Sequence, residues 1–133
     1  MSIPILFQNQ IMIVTVRGTI DKSNFKGWRH VLENFYYECT ANDGKYNRRP
    51  ETGFIAFYRS HVPKAITHWG NVSNITEKDG IRRYHLGSLM KLKSFIKKGE
   101  IPPVFSGGGI SIPLEEFFIL KNLDELYENH RNV

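Results

Sequence analysis

Apolar and β-branched residues fill Ile11-Met-Ile-Val-Thr-Val16, and Arg17-Gly18 ends the run. So short and β-rich a stretch predicts a first strand, buried on both faces. The period then changes. Phe25, Trp28, Val31, Leu32, Phe35 and Tyr36 recur at three and four residues. That spacing predicts a helix from about Asn24 to Cys39, capped by Ser23, with Trp28, Leu32 and Phe35 together against a sheet.

Residues 41 to 52 lose periodicity and carry Asn42-Asp43-Gly44, Asn47 and Pro50, so they read as a loop. Gly53 to Tyr58 reads as a second strand. Ala65 to Trp69, continuing through Val72 to Ile75, reads as a third, with Pro63 in the turn between them. Lys78-Asp-Gly80 makes a tight turn into a fourth strand, Ile81 to Leu86. Leu89 to Ile96 alternates Lys with apolar residues and fits a helix or a strand. Ile101-Pro-Pro-Val104 breaks it, Ile110 to Ile112 and Phe117 to Leu120 read as short strands, and Asn122 to Tyr127 as a closing helical turn. No repeat or low-complexity tract interrupts the 133 residues, so a single domain over 1–133 is expected.

Composition narrows the class. Hydrophobic residues at 41% against charged residues at 23% describe a folded chain rather than a disordered one. Aromatics at 13% mean that either the core leans on rings or some rings line a binding surface. The 18 Lys and Arg against 13 Asp and Glu leave a formal +5, which favours a polyanionic partner. The single cysteine, Cys39, excludes an intrachain disulfide and a cysteine-based zinc site. The start of the chain lacks a charged n-region, and no apolar run is long enough to span a bilayer, so a cytoplasmic location away from membranes is expected. The five histidines show no i, i+4 pair, so no metal site is expected, the alternative being His61 and His68 converging across the turn; no cofactor is expected.

The most informative stretch runs from Phe54 to Ile75. An apolar strand ends in Phe-Tyr-Arg-Ser60, a turn holds Pro63, and Ala65-Ile-Thr-His-Trp-Gly-Asn-Val72 follows. This pattern resembles the PUA-like superfamily, which includes the PUA, ASCH, EVE and YTH domains. It is most similar to EVE-type modules and the DNA-reading domains of modification-dependent restriction systems. The likeness follows element order from Ile11 to about Leu126, and residue by residue it covers only the central stretch. It implies an α+β fold, a small twisted β-barrel of about five to six strands flanked by helices. It also implies a DNA- or RNA-binding module that takes a modified base into an aromatic pocket. The sequence holds no nuclease or NTPase motif, so any catalytic partner is expected on a separate polypeptide.

On that resemblance the base pocket would draw on Trp28, Tyr36, Trp69, Asn71, Ser73 and Asn74. Tyr58 and a basic rim of Lys45, Arg48, Arg49, Arg59, Lys64, Arg82 and Arg83 would hold the phosphate backbone. The residues themselves leave alternatives. Strict alternation puts Ala65, Thr67 and Trp69 on one face and Ile66, His68 and Gly70 on the other. Trp69 then lies either in a pocket or in the core. Arg59 grips phosphate or pairs with the helix. Asn71 and Asn74 read a base edge or shape a strand end. Ser106 to Gly109 either faces a phosphate or forms a flexible hairpin.

An enzyme is the alternative. Some ASCH relatives, which this chain resembles, act as small hydrolases on nucleosides or RNA through Lys, Thr and an acid. Lys64 and Thr67 have that Lys-x-x-Thr spacing, with Glu33, Glu38 or Glu77 as the carboxylate. On a regular strand the two side chains point to opposite faces, so this arrangement needs a bulge.

Overall fold

The computed structural model describes residues 8–16, 27–40, 52–60, 64–97 and 109–123. In chain order the elements are β1 (Gln10–Val16), α1 (Trp28–Asn34), β2 (Tyr36–Thr40), β3 (Phe54–Arg59), β4 (Ala65–Lys78), β5 (Ile81–Leu86), β6 (Met90–Lys97), β7 (Gly109–Pro113) and α2 (Leu114–Phe117). The strands form one seven-stranded sheet in the order β2-β5-β4-β3-β1-β7, with β6 also paired to β4. β1 runs parallel to β3, and every other strand pair is antiparallel.

Alternation along β1 explains the layering. Ile11 and Ile13 point into one core with Ala56, Tyr58, Ile66, Ile112 and Phe117, which α2 covers. Met12, Val14 and Val16 point into a second with Trp28, Val31, Ile55, Phe57 and Tyr84, on the side of α1. The expectation that the first strand is buried on both faces holds. It also bears on the expected barrel. A small barrel has one interior, whereas this sheet carries a core on each face. β2 and β7 stand at opposite ends of the strand order, and the sheet is not closed. The architecture is a mostly-sheet domain with a mixed seven-stranded sheet and two short helices, in place of a five- or six-stranded barrel.

The first helix is shorter than its periodicity suggests. Phe35 adopts φ 57° and ψ 40°, its N–H returns to the Val31 carbonyl, and the chain leaves α1. Tyr36 to Thr40 then runs as a strand, where Tyr37 and Cys39 alternate into the core. Leu32 and Phe35 are accordingly exposed, at 43% and 47%, rather than packed with Trp28. The ambiguous Lys-rich segment is strand β6, and Leu114–Phe117 is helical where a strand was expected at Phe117.

β4 organises the molecule. Its first half lies between β3 and β6, and its second half pairs with β5. Two bulges interrupt it. Phe57 faces His68 while Tyr58 faces Ile66, so Thr67 is an extra residue. Val72 faces Leu86 while Asn74 faces His85, so Ser73 is another. Each bulge reverses the inward and outward assignment of every residue beyond it.

Candidate nucleic-acid interface

The bulge at Thr67 decides which residues meet. It puts Trp69 on the face of Ile66, and His68 on the face of Ala65 and Phe57. The strict alternation expected from the sequence fails there, and the two tryptophans stand on opposite sides of the sheet. Trp69 is half-buried against Phe54 and Phe118, with ring centroids at 5.9 and 4.9 Å. Trp28 is 3% exposed and packs on Phe57 at 5.3 Å and His68 at 4.8 Å, while the Arg59 guanidinium lies 5.5 Å from its ring centre.

Register completes this second group. One row across the sheet reads Phe57–His68–Lys91; after a shift of register come Tyr58–Ile66–Ile96 and then Arg59–Ala65–Lys97. Three cations and an imidazole therefore lie along this part of the sheet, Arg59 and Lys97 on either side of Ala65 and Lys91 opposite His68. Lys64 precedes it in the chain, exposed and at φ 57°. The Thr67 hydroxyl sits 2.7 Å from His68 Nδ1 and fixes that edge of the ring. Burial lowers the His68 pKa from 6.5, and the charges of Arg59 and Lys91 lower it further, so the ring is neutral at pH 7.

The sign of the consequence follows. The unfolded chain binds a proton at His68 more readily than the folded one, so protonation favours unfolding. Stability is full above about pH 6.5 and falls as the pH drops below it. Denaturant midpoints measured from about pH 7.5 to about pH 5.5 should show this decline, and His68→Gln should flatten it.

Among the described residues the other arginines are already neutralised. Arg29 pairs with Glu33 at 2.8 Å, Arg82 with Glu77 at 2.6 Å and Arg83 with Glu38 at 2.9 Å. Among the described residues no carboxylate pairs with Arg59, Lys64, Lys91 or Lys97. Arg82 is also 2% exposed, and Tyr58 is buried in the opposite core, where desolvation raises its phenol pKa. Neither is open to a phosphate. Arg83 stacks over Tyr36 at 4.5 Å, and Tyr36 meets His30 at 4.8 Å and His85 at 5.8 Å. Arg83 borders an open groove of about 770 Å³ where Glu38, Glu77 and Asp79 outnumber Lys78 and Arg83, a poorer seat for a phosphate than a purely basic one.

The expected polar pocket residues have local partners. Asn71 donates its N–H to Ser88 Oγ at 3.3 Å and accepts the Ser88 hydroxyl proton at 2.6 Å, tying β4 to the β5–β6 junction. The Ser73 hydroxyl donates to the His85 carbonyl at 3.2 Å, and Asn74 Oδ1 accepts the Ile75 N–H at 3.0 Å. Thr67 is fully buried against His68, which withdraws it from the Lys64–Thr67 hydrolase arrangement even though the required bulge is present. Lys45, Arg48, Arg49, Tyr46, His61 and residues 106–108 lie outside the described residues.

Sequence reasoning missed Lys91 and Lys97. Their signal was the lysine alternation of β6, which acquires meaning only through its pairing with β4. No family model matches this chain, and no curated protein matches it significantly.

Proposed function

We propose that this chain is a nucleic-acid-binding module whose interface is the Trp28–His68 face of β3, β4 and β6. One observation carries the reading. Among the described residues, Arg59, Lys64, Lys91 and Lys97 have no carboxylate partner and gather at the Ala65 end of β4; Lys93 lies between the last two on β6, Lys78 stands at the far end of β4, and the paired arginines lie elsewhere. Gathering like charges costs electrostatic energy, which a polyanion would offset by releasing its counterions.

The aromatic half supports selectivity. Trp28 is 3% exposed with Arg59 5.5 Å from its ring centre, so a base reaching the indole must displace Arg59, whose guanidinium then turns to a phosphate. A neutral His68 offers its free ring nitrogen to a base edge. Such a pocket suits a modified base, in keeping with the likeness of Phe54 to Ile75 to PUA-like domains. The open sheet sets the chain apart from a closed barrel of that kind.

Fluorescence anisotropy with labelled single- and double-stranded DNA and RNA, with and without methylated bases, tests the proposal. Four phosphate contacts imply a log–log salt slope of about −3, a loss of about 50-fold between about 50 and 200 mM salt. Lys91→Ala and Lys97→Ala should each flatten the slope by about 1, whereas Arg83→Ala should leave it unchanged. Binding indifferent to salt, or absent for every oligonucleotide, would sink the reading.

A further inference from the structure

The cation patch holds more positive charge than one internal phosphodiester calls for. Arg59, His68 and Lys91 occupy neighbouring positions on three adjacent strands, and strands lie about 4.8 Å apart. Arg59 and His68 both lie against Trp28, at 5.5 and 4.8 Å from its ring centre, and Lys91 faces His68 from β6; the charges of Arg59 and Lys91 also depress the His68 pKa. Among the described residues no carboxylate joins them. An internal phosphodiester carries one negative charge, whereas a phosphomonoester approaches two near neutral pH and takes up a proton at about pH 6.

We propose that Arg59, His68 and Lys91 together bind a phosphomonoester, either the terminal phosphate of a strand or that of a free nucleotide, with the attached base beside Trp28. Arg59 supplies the planar two-pronged donor and Lys91 the point charge. His68, oriented by Thr67 at Nδ1, offers its other nitrogen. Lys97, opposite Ala65 further along the same strand pair, is the contact for the following phosphate. The base position rests on the nucleic-acid reading above; the phosphate position rests on the cation cluster alone.

Isothermal titration with oligonucleotides of one sequence bearing a 5′-phosphate, a 3′-phosphate or hydroxyl ends separates the two. Nucleoside monophosphate and inorganic phosphate serve as the small probes. One of the two phosphorylated ends should bind about tenfold tighter than the hydroxyl end, the scale of one charge-assisted contact. Lys91→Gln, at an exposed position, should reduce that advantage to within about twofold. His68→Gln should do the same, with the fold confirmed by circular dichroism. Oligonucleotides that bind equally with and without terminal phosphate would overturn the proposal and leave the nucleic-acid reading standing. Nucleoside monophosphate that binds while no oligonucleotide does would support the phosphate site and remove the other reading. Failure of every probe would remove both.

Discussion

Phe57→Ala is expected to lower the free energy of unfolding by about 3–5 kcal/mol, the usual cost of truncating a buried phenylalanine. The ring is fully buried on β3. It supports Trp28 at 5.3 Å and Tyr37 at 6.2 Å and faces His68 across the strand pair. Truncation leaves a void that three rigid neighbours fill poorly, because β3 is held between β1 and β4. Against a total of about 5–15 kcal/mol for a domain of this kind, that is a large fraction. The Trp28 wall should loosen with it, so binding should weaken even where the variant is still folded. Urea titration gives the first quantity, provided the slope is unchanged. Ile119→Ala is the control: at 69% exposed it should stay within about 0.5 kcal/mol of wild type. A loss at Phe57 no greater than at Ile119 would show that this core is not the one that supports the site.

Much of the fold was legible because local chemistry dictated it. Lys78-Asp-Gly80 announces a two-residue hairpin, and Asp79 and Gly80 do take the positive φ values, 53° and 78°, that a type I′ turn requires. The β-branched run at Ile11 and the aromatic run at Phe54 became strands because they satisfy cores on both faces. What stayed hidden is what depends on partners distant in the chain. Helical spacing through Tyr36 masked the switch to period two at Tyr37 and Cys39, whose burial is defined by Tyr84 and Arg82 across β5. The parallel pairing of β1 with β3 has no signature in either strand alone.

The site was harder still. Trp28 and Arg59 were legible as an aromatic and a cation, and the structure brings them together. Trp69 was assigned by alternation, which the bulge at Thr67 reverses, and no residue type at that position marks a bulge. Arg82 and Arg83 looked available in the sequence. They are not, because β4 and β2 bring Glu77 and Glu38 against them. Charge counts cannot separate paired from unpaired cations; register does.

Gly70→Ala should be nearly as damaging as the loss of Phe57, by a different route. Gly70 lies where β4 passes from pairing with β6 to pairing with β5, and a Cβ there would meet the carbonyl oxygen of Ser88. The obstacle is backbone, which cannot rotate away like a side chain. Ser88 is moreover held by its two hydrogen bonds with Asn71, and Gly87 donates its N–H to the Asn71 carbonyl. Making room means displacing the β5–β6 junction and breaking those bonds, at a cost of about 3 kcal/mol. Gly80→Ala separates contact from conformation. Gly80 has φ +78° with nothing within 4 Å of the added methyl, so it should lose only about 1 kcal/mol. The two variants should also differ in function. Lys91 follows three residues after Ser88 and faces His68, so moving the junction moves a cation of the site, whereas the Gly80 turn lies at the far end of β4. Gly70→Ala should therefore weaken oligonucleotide binding under conditions where it is still folded, and Gly80→Ala should not. Equal stability and equal binding for the pair would mean that the β5–β6 junction yields freely and that Lys91 is not held in place by it.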